Sequence, residues 1–215
     1  SMSFGAMDSV CLYGWNAMEN VQKKPEIIVF AGPNGSGKST FTEILRPPQM
    51  DYINADEIKK NLKCDDLKAA QIAERQREAY LSDKRAFCFE TVLSTPRNLA
   101  LLKRAREMGY FIRCYYVLTI APIINVYRVK TRVASGGHDV PKEKIYARYD
   151  RAMDLVPAVI AVSDICHIYD NSAEEPFRIF KKQKNMCFYD ECDDWQREKI
   201  EMLTGIADMM RKNLN

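Results

Sequence analysis

The residues best suited to chemistry form a glycine-rich segment near the start of the chain. They are Gly32, Pro33, Asn34, Gly35, Ser36, Gly37, Lys38, Ser39 and Thr40, and they match the P-loop pattern G-x-x-x-x-G-K-[ST]. Glycines allow consecutive backbone amides to point into one concavity, and the helix that follows a P-loop adds the positive end of its dipole. The segment therefore predicts a site for ATP, in which Lys38 neutralises the β- and γ-phosphates and Ser39 binds Mg²⁺.

Two carboxylates are placed to act on a phosphate acceptor. Asp56 follows a short candidate strand at 52–54, where a carboxylate can accept or position a hydroxyl proton, although Asp56 could equally cap a helix. Glu90 ends a run of buried residues, so it could orient the acceptor or a Mg²⁺-bound water. The hydroxyls of Thr91 and Ser94 follow Glu90 and join it as candidate substrate-binding groups.

Four arginines surround a glycine-containing joint, at 135–138, between two predicted helices. They are Arg128, Arg132, Arg148 and Arg151. Because phosphoryl transfer depends on positioning and on charge neutralisation, arginines on a closing lid could bind the transferring oxygens and exclude water. A solvated basic helix face is the alternative for any one arginine. Arg132, beside the glycines, is interpreted as a lid residue, whereas His138 is interpreted as a turn residue outside the catalytic set.

Alternating strands and helices must position these side chains. Apolar runs predict strands at 26–31, 52–54, 86–89, 111–120 and 166–169. Helical patterns begin near Lys38 and near Thr95, and others run over 65–81, 122–134 and 141–155. Strands joined by helical crossovers predict an α/β fold with a mainly parallel sheet, whose ligands bind at the carboxyl ends of the strands.

The pattern weakens towards the end of the chain. It predicts an edge strand near Phe177, a loop containing Cys187 and Cys192, and a final amphipathic helix over about 194–212. We therefore expect an N-terminal segment without an assigned fold at 1–24 and one P-loop kinase domain at 25–182. A C-terminal loop and helix at 183–215 should pack on the same domain.

Composition places limits on the environment of the protein. The 215 residues include 47% hydrophobic and 28% charged residues, as in ordinary globular proteins. A net charge of +3 is too small for a surface that coats nucleic acid, so nucleic acid is not an expected partner. Seven cysteines, several of them in apolar runs, predict reduced thiols and a cytoplasmic protein. The sequence predicts neither a membrane span nor a secretion signal.

With these segments collected, the chain resembles the zeta-toxin family of P-loop kinases. The matching segments are 32–40, 54–57, 89–91, 136–141 together with Arg132, and Arg148-Tyr149 together with Arg151. The resemblance implies a kinase that moves the ATP γ-phosphate to a hydroxyl of a small acceptor. It implies that Asp56 is the base and that Arg132 and Arg148 act near the phosphates. Toxic activity and an antitoxin partner do not follow from it.

The resemblance also bears on the acceptor and on the base of ATP. Studied toxins of the family phosphorylate UDP-N-acetylglucosamine, but this chain has Val92 where they carry threonine. A nucleoside or another hydroxyl metabolite is therefore an alternative acceptor. A wider similarity to adenylate-kinase-like enzymes implies a three-layer sandwich with a helical lid, in which Arg128 stacks on adenine and Asn171 lies near it.

Two other functions are compatible with a P-loop. A polynucleotide 5′-kinase should present a basic groove with exposed aromatic residues, and the near-neutral charge counts against it. A nucleotide-dependent switch would bind ATP without transferring phosphate. A switch has no evident need for the acceptor-side residues Asp56, Glu90 and Arg132.

Overall fold

A computed structural model of the protein describes residues 23–206. Within this range the chain forms one seven-stranded sheet. Its strands are β1 (Glu26–Ala31), β2 (Asp51–Ile53), β3 (Phe87–Thr91), β4 (Phe111–Leu118), β5 (Ile165–Asp170), β6 (Phe177–Gln183) and β7 (Met186–Tyr189). The spatial order is β2-β3-β1-β4-β5-β6-β7, and the pairs from β2 to β5 are parallel, whereas β6 and β7 are antiparallel. The predicted α/β fold with a mainly parallel sheet is thus confirmed.

Eight helices lie among the described residues; the first seven connect the parallel strands and the last follows β7. They are α1 (Lys38–Leu45), α2 (Ala55–Leu62), α3 (Asp66–Ser82), α4 (Arg97–Glu107), α5 (Pro122–Ala134), α6 (Lys142–Asp154), α7 (Val156–Val162) and α8 (Arg197–Thr204). No helix among residues 23–206 is long and apolar enough to cross a bilayer.

The sheet separates two apolar clusters. The larger one joins the sheet to the helices of one face and includes Ala73 of α3, Leu102 of α4 and Val159 of α7. The smaller one lies beneath α1, where Phe41 packs on Ile28 and Phe30 of β1. Because both faces of β1 are covered, its residues from 27 to 31 are all buried, which explains their unbroken apolar run.

Several boundaries differ from the sequence predictions. The segment at 187 is a strand, β7, and not a loop, so β6 is paired on both sides and is not an edge strand. The apolar residues after Leu155 form a separate helix, α7, that the sequence analysis did not predict. The last helix begins at Arg197 rather than near 194. The predicted N-terminal segment up to residue 22, and the end of the last helix beyond residue 206, lie outside the described residues.

Candidate active site

The P-loop connects β1 to α1 and requires glycine at two close approaches. Gly37 precedes α1 with φ +92°, and a Cβ atom there would lie 2.2 Å from Nδ2 of Asn171. Gly35 has φ +77°, and a Cβ atom there would lie 2.4 Å from the carbonyl oxygen of Asn125. Any side chain would therefore meet both a strained backbone and neighbouring atoms. The two glycines let the loop follow its tight path around the start of α1.

Side chains from two distant segments hold the P-loop backbone. Asn125 donates from Nδ2 to the carbonyl oxygen of Asn34 at 2.9 Å, and Asn171 donates from Nδ2 to that of Ser36 at 2.9 Å. Asn171 was predicted at the nucleotide site, but Asn125 was not. Asn125 is fully buried although α5 is amphipathic. A polar residue on the inner row of that helix was the signal that could have identified it.

The loop's own donors fit a phosphate chain. The Ser36 hydroxyl is buried and has no hydrogen-bond partner among the described residues. A buried hydroxyl without a partner is costly, and an anionic oxygen at the loop would supply an acceptor. The helix α1 also has no acidic residue in its first turn, so none of its own side chains there neutralises its positive end.

Four charged residues that were predicted at the site influence the pKa of Lys38. Burial lowers the pKa of Lys38 from 10.5 to about 8, Glu90 and Asp56 oppose that change, and Arg132 and Arg148 add to it. These residues come from α1, β3, α2, α5 and α6. The fold therefore gathers, around Lys38, the four other residues that the sequence analysis placed at the phosphates and the acceptor.

Glu90 connects the P-loop helix to β3. Its Oε1 accepts a hydrogen bond from Oγ1 of Thr42 at 2.5 Å, and its Oε2 accepts one from Oγ of Ser39 at 3.3 Å. Glu90 lies within β3, one residue before its end, so its side chain and that of Thr91 point to opposite faces of the sheet. Glu90 thus lies beside α1 and next to the predicted Mg²⁺ ligand.

The oxygen atoms near the P-loop could hold Mg²⁺ only if phosphate and water complete its coordination shell. Among residues 23–206, no group of three or more His, Cys, Asp or Glu side chains could hold a metal ion by itself. Magnesium commonly takes one or two protein oxygens and completes its shell with phosphate oxygens and water. The Ser39 hydroxyl and the Glu90 carboxylate fit that arrangement.

Asp56 does not cap its helix, which corrects one of its two predicted roles. The N-cap of α2 is Asn54, whose Oδ1 accepts hydrogen bonds from the amides of Asp56 at 2.7 Å and Glu57 at 3.4 Å. The carboxylate of Asp56 is exposed in the first turn and makes no hydrogen bond or ion pair with the described residues. It is therefore available for a substrate hydroxyl.

The arginines of the predicted lid divide into two groups. Arg148 donates from Nη1 to Oδ1 of Asn34 at 3.1 Å, and Arg132 is exposed at the end of α5, so both face the P-loop lysine. Arg128 instead donates from Nη2 to the carbonyl oxygens of Asn171 at 2.6 Å and Ser172 at 3.4 Å. Arg128 thus ties α5 to the loop after β5, a contact that the sequence analysis did not predict.

The remaining substrate-binding candidates make contacts around the turn before α4. Thr91 is buried, and its Oγ1 accepts hydrogen bonds from the amide of Leu93 and from Nδ2 of Asn98, so it stabilises the turn before α4. The role of Thr91 beside the acceptor stays a prediction. Arg151 donates from Nε to the carbonyl oxygen of Ser94 at 3.2 Å, which connects α6 to the same turn.

A cavity of about 570 Å³ borders the P-loop on the side of Arg128 and Asn171. Phe41 and Ile44 of α1 give it an apolar wall, and Thr40 also lines it. A nucleobase has flat apolar faces and a few polar atoms at its edge, and it fits such a lining. A larger cavity of about 650 Å³ lies near Lys24 and Lys84, at the opposite ends of the strands, and none of the site residues borders it.

No protein-family profile matches the chain. An uncharacterized protein of Haemophilus influenzae is 29% identical over 127 residues, which cover 57% of this chain and 91% of that protein.

Solved structures share the fold at low sequence identity. A chain of the AvrRxo1-ORF1:AvrRxo1-ORF2 complex with ATP superposes with a TM-score of 0.66 at 14% identity over 84% of this chain. This chain spans 64% of the length of that protein. A chain of the PezAT chromosomal toxin-antitoxin system of Streptococcus pneumoniae gives a TM-score of 0.56 at 16% identity, covering 93% of this chain and 91% of its own. A chain of the Pnkp1/Rnl/Hen1 RNA repair complex gives 0.52 at 19% identity over 64% of this chain.

These likenesses establish the fold. The chain shares its fold with chains of the AvrRxo1-ORF1:AvrRxo1-ORF2 complex and of the PezAT system, and the predicted α/β fold is confirmed.

Proposed function

We propose that the chain is an ATP-dependent kinase of the zeta-toxin type, which transfers the γ-phosphate of ATP to a hydroxyl of a small acceptor. The observation that carries the proposal is the grouping of Asp56, Glu90, Arg132 and Arg148 around Lys38. Phosphate binding alone needs only the P-loop. An exposed carboxylate and two lid arginines at the same lysine are the parts that transfer adds.

The residues divide the work of an in-line displacement. Lys38 and the P-loop amides neutralise the β- and γ-phosphates, while the cavity beside Arg128 holds the adenine ring of ATP. The hydroxyl oxygen of the acceptor bonds to the γ-phosphorus while Asp56 accepts the hydroxyl proton. The bond between the γ-phosphorus and the oxygen that bridges it to the β-phosphate breaks at the same time. Arg132 and Arg148 neutralise charge on the transferring oxygens, and ADP leaves.

Magnesium fits beside this machinery. When bound, the ion supplies charge neutralisation at the phosphate oxygens. Ser39 would hold it, and Glu90 would orient its water. The hydrogen bond from Thr42 fixes the Glu90 carboxylate for that purpose.

The acceptor is proposed only as a class. UDP-N-acetylglucosamine or a related nucleotide sugar is the first candidate because of the family resemblance. A polynucleotide 5′-hydroxyl is the second, because the fold is shared with a chain of an RNA repair complex. We also propose a cytoplasmic location, supported by the thiols of Cys88, Cys114 and Cys166, which are buried and unpaired in the sheet. The PezAT chain belongs to a toxin-antitoxin system, and an antitoxin partner is not part of the present proposal.

The test is transfer of label from γ-labelled ATP to a panel of acceptors. The panel contains UDP-N-acetylglucosamine, other nucleotide sugars, nucleosides, a 5′-hydroxyl oligonucleotide and a pooled metabolite extract. Label in one small molecule supports the proposal and identifies the acceptor, whereas label in the oligonucleotide would replace it by the polynucleotide kinase. No transfer by a wild-type protein that binds ATP would favour a nucleotide switch.

Asp56→Asn sharpens this test. An amide cannot take the proton, so transfer should fall by about 10²- to 10⁴-fold while Mg²⁺-ATP affinity by calorimetry stays within a few-fold of wild type. Asp66→Asn is the matched control, because Asp66 is likewise exposed in the first turn of a helix but pairs with Lys59. Near-normal transfer by Asp56→Asn would remove Asp56 from the mechanism.

A further inference from the structure

Tyr52 lies between Glu90 of β3 and Asn54, the N-cap of the helix that carries Asp56. It occupies the middle of β2, and its Oη accepts a hydrogen bond from Nδ2 of Asn54 at 2.6 Å. With Nδ2 turned towards the phenol, Oδ1 of Asn54 faces α2, where it accepts from the amides of Asp56 and Glu57. The phenol therefore determines how Asn54 holds the first turn of α2.

The same phenol lies beside Glu90. Tyr52 is paired with Cys88 of β3, so Glu90, two residues further along that strand, lies on the same face of the sheet. Burial raises the pKa of Tyr52 above its usual range, and the charge of the nearby Glu90 carboxylate adds to this rise. A phenol that remains protonated can donate to a carboxylate and accept from an amide at the same time. Glu90 in turn accepts from Ser39 and Thr42 of α1.

The ring of Tyr52 is anchored independently of its hydroxyl. The guanidinium of Arg46 lies over the ring at 4.5 Å from its centroid, and the ring packs against the apolar cluster that contains Phe41 and Cys88. Removal of the hydroxyl alone should therefore leave the ring and the sheet in place. This anchoring makes the hydroxyl separately testable.

We propose that Tyr52 is a positioning residue for phosphoryl transfer, which fixes the distance between the Glu90 carboxylate on the P-loop side and Asp56 on the acceptor side. The phenol lies beside Glu90 on one face of the sheet, and hydrogen bonds run from the phenol to Asn54 and from Asn54 to the amide of Asp56. The inference rests on the proposed kinase function. It adds a residue that touches neither ATP nor the acceptor.

The expected effect falls on the rate and not on nucleotide binding. Loss of a residue that orients a site through hydrogen bonds commonly costs about 10- to 100-fold. Tyr52→Phe should lower kcat by that factor and leave the Kd of Mg²⁺-ATP within about 3-fold, because the P-loop itself is unchanged. In a Glu90→Gln background the same substitution should cost less than about 3-fold, since coupled residues are not additive.

The experiment compares Tyr52→Phe with Tyr115→Phe. Tyr115 lies on the same face of the sheet, is also partly buried and stacks on Phe30, so it matches the packing without the link. Amide hydrogen exchange over 55–62 should be faster in Tyr52→Phe only, and kcat should fall in Tyr52→Phe only. Unchanged exchange and kcat in Tyr52→Phe, or a full additional loss in the Glu90→Gln background, would overturn the inference.

Failure of the kinase proposal has a different signature. It would appear as absence of transfer by the wild-type protein. The exchange comparison still decides the link in that case: faster exchange over 55–62 in Tyr52→Phe supports it, and equal exchange in the two variants refutes it.

Discussion

Lys38 is the residue whose chemistry depends most on its neighbours. Burial and two arginines lower the pKa of its ammonium group, and two carboxylates restrain the change. In free protein at pH 7 the lysine is still mostly charged, because its pKa of about 8 lies above that pH. Its charge is nevertheless within reach of mild alkaline conditions, which is unusual for a lysine.

This position predicts a pH dependence of ATP binding. Only the charged lysine neutralises the phosphates, so above pH 8 binding must be accompanied by uptake of a proton. ATP affinity should therefore fall by about tenfold per pH unit above pH 8 and change little between pH 7 and pH 7.5. Calorimetry from pH 7 to pH 9.5 measures it, with Lys38→Ala as a control that should show no such fall. A flat wild-type profile would contradict the proposed contact.

A second prediction at the residue scale concerns the transfer rate of an Arg132 variant. By analogy with arginine fingers, Arg132→Ala should lower the transfer rate by about 10³-fold or more, with a much smaller change in ATP affinity. Lys130→Ala removes an exposed cation from another face of α5 and should leave the rate unchanged. If affinity falls as far as the rate in Arg132→Ala, Arg132 is a binding residue only.

At the scale of elements, the joint between α5 and α6 controls where Arg132 lies. The amides of Ser135 and Gly137 both donate to the carbonyl oxygen of Arg132, at 3.1 and 2.8 Å. A Cβ atom on Gly137 would lie 2.5 Å from Cγ of Arg132 and 2.8 Å from its carbonyl oxygen. If residue 137 carried a side chain, either that residue or the end of α5 would have to move.

Gly137→Ala should therefore displace Arg132 and lower kcat by about 10- to 100-fold, since small misplacements of a reacting group are costly. Gly109→Ala is the matched control: Gly109 has φ +93° but nothing within 4 Å of its added Cβ atom. It should lower the free energy of unfolding by about 1–2 kcal/mol and leave kcat unchanged. Equal kcat values for the two variants would show that the joint does not position Arg132.

At the scale of the whole molecule, the sheet order brings the site together. β1 lies between β3 and β4, so the P-loop, Glu90 and the start of the lid share one edge of the sheet. A ligand at this edge contacts segments from residue 32 to residue 171, and its binding energy should therefore stabilise the fold as a unit.

Mg²⁺-ATP should accordingly raise the unfolding temperature. At 100 times Kd, ligand binding contributes about 2.7 kcal/mol, which corresponds to about 5–10 °C for a domain of this size. Thermal unfolding with and without Mg²⁺-ATP measures the change, and Lys38→Ala should lose most of it. A wild-type protein whose unfolding temperature does not move at that concentration would not bind ATP at this site.

The sequence by itself determined the features that depend on local chemistry. The P-loop, the buried strand before it, the boundaries of α5 and the parallel sheet follow from glycine spacing, apolar runs and helix patterns within short windows. The resemblance to the zeta-toxin family added specific roles for Asp56, Arg132 and Arg148, because it relates motifs that are far apart in the chain.

Tertiary structure decided which way side chains face and what they contact. Glu90 and Thr91 are neighbours in sequence, but a strand sends them to opposite faces, so only Glu90 reaches α1. Asn125 and Tyr52 carry no motif, and their contacts with the P-loop and with Asn54 exist only after folding. α7 and β7 were missed because uniform burial and short length leave no periodic pattern, so packing against the sheet decides their structure.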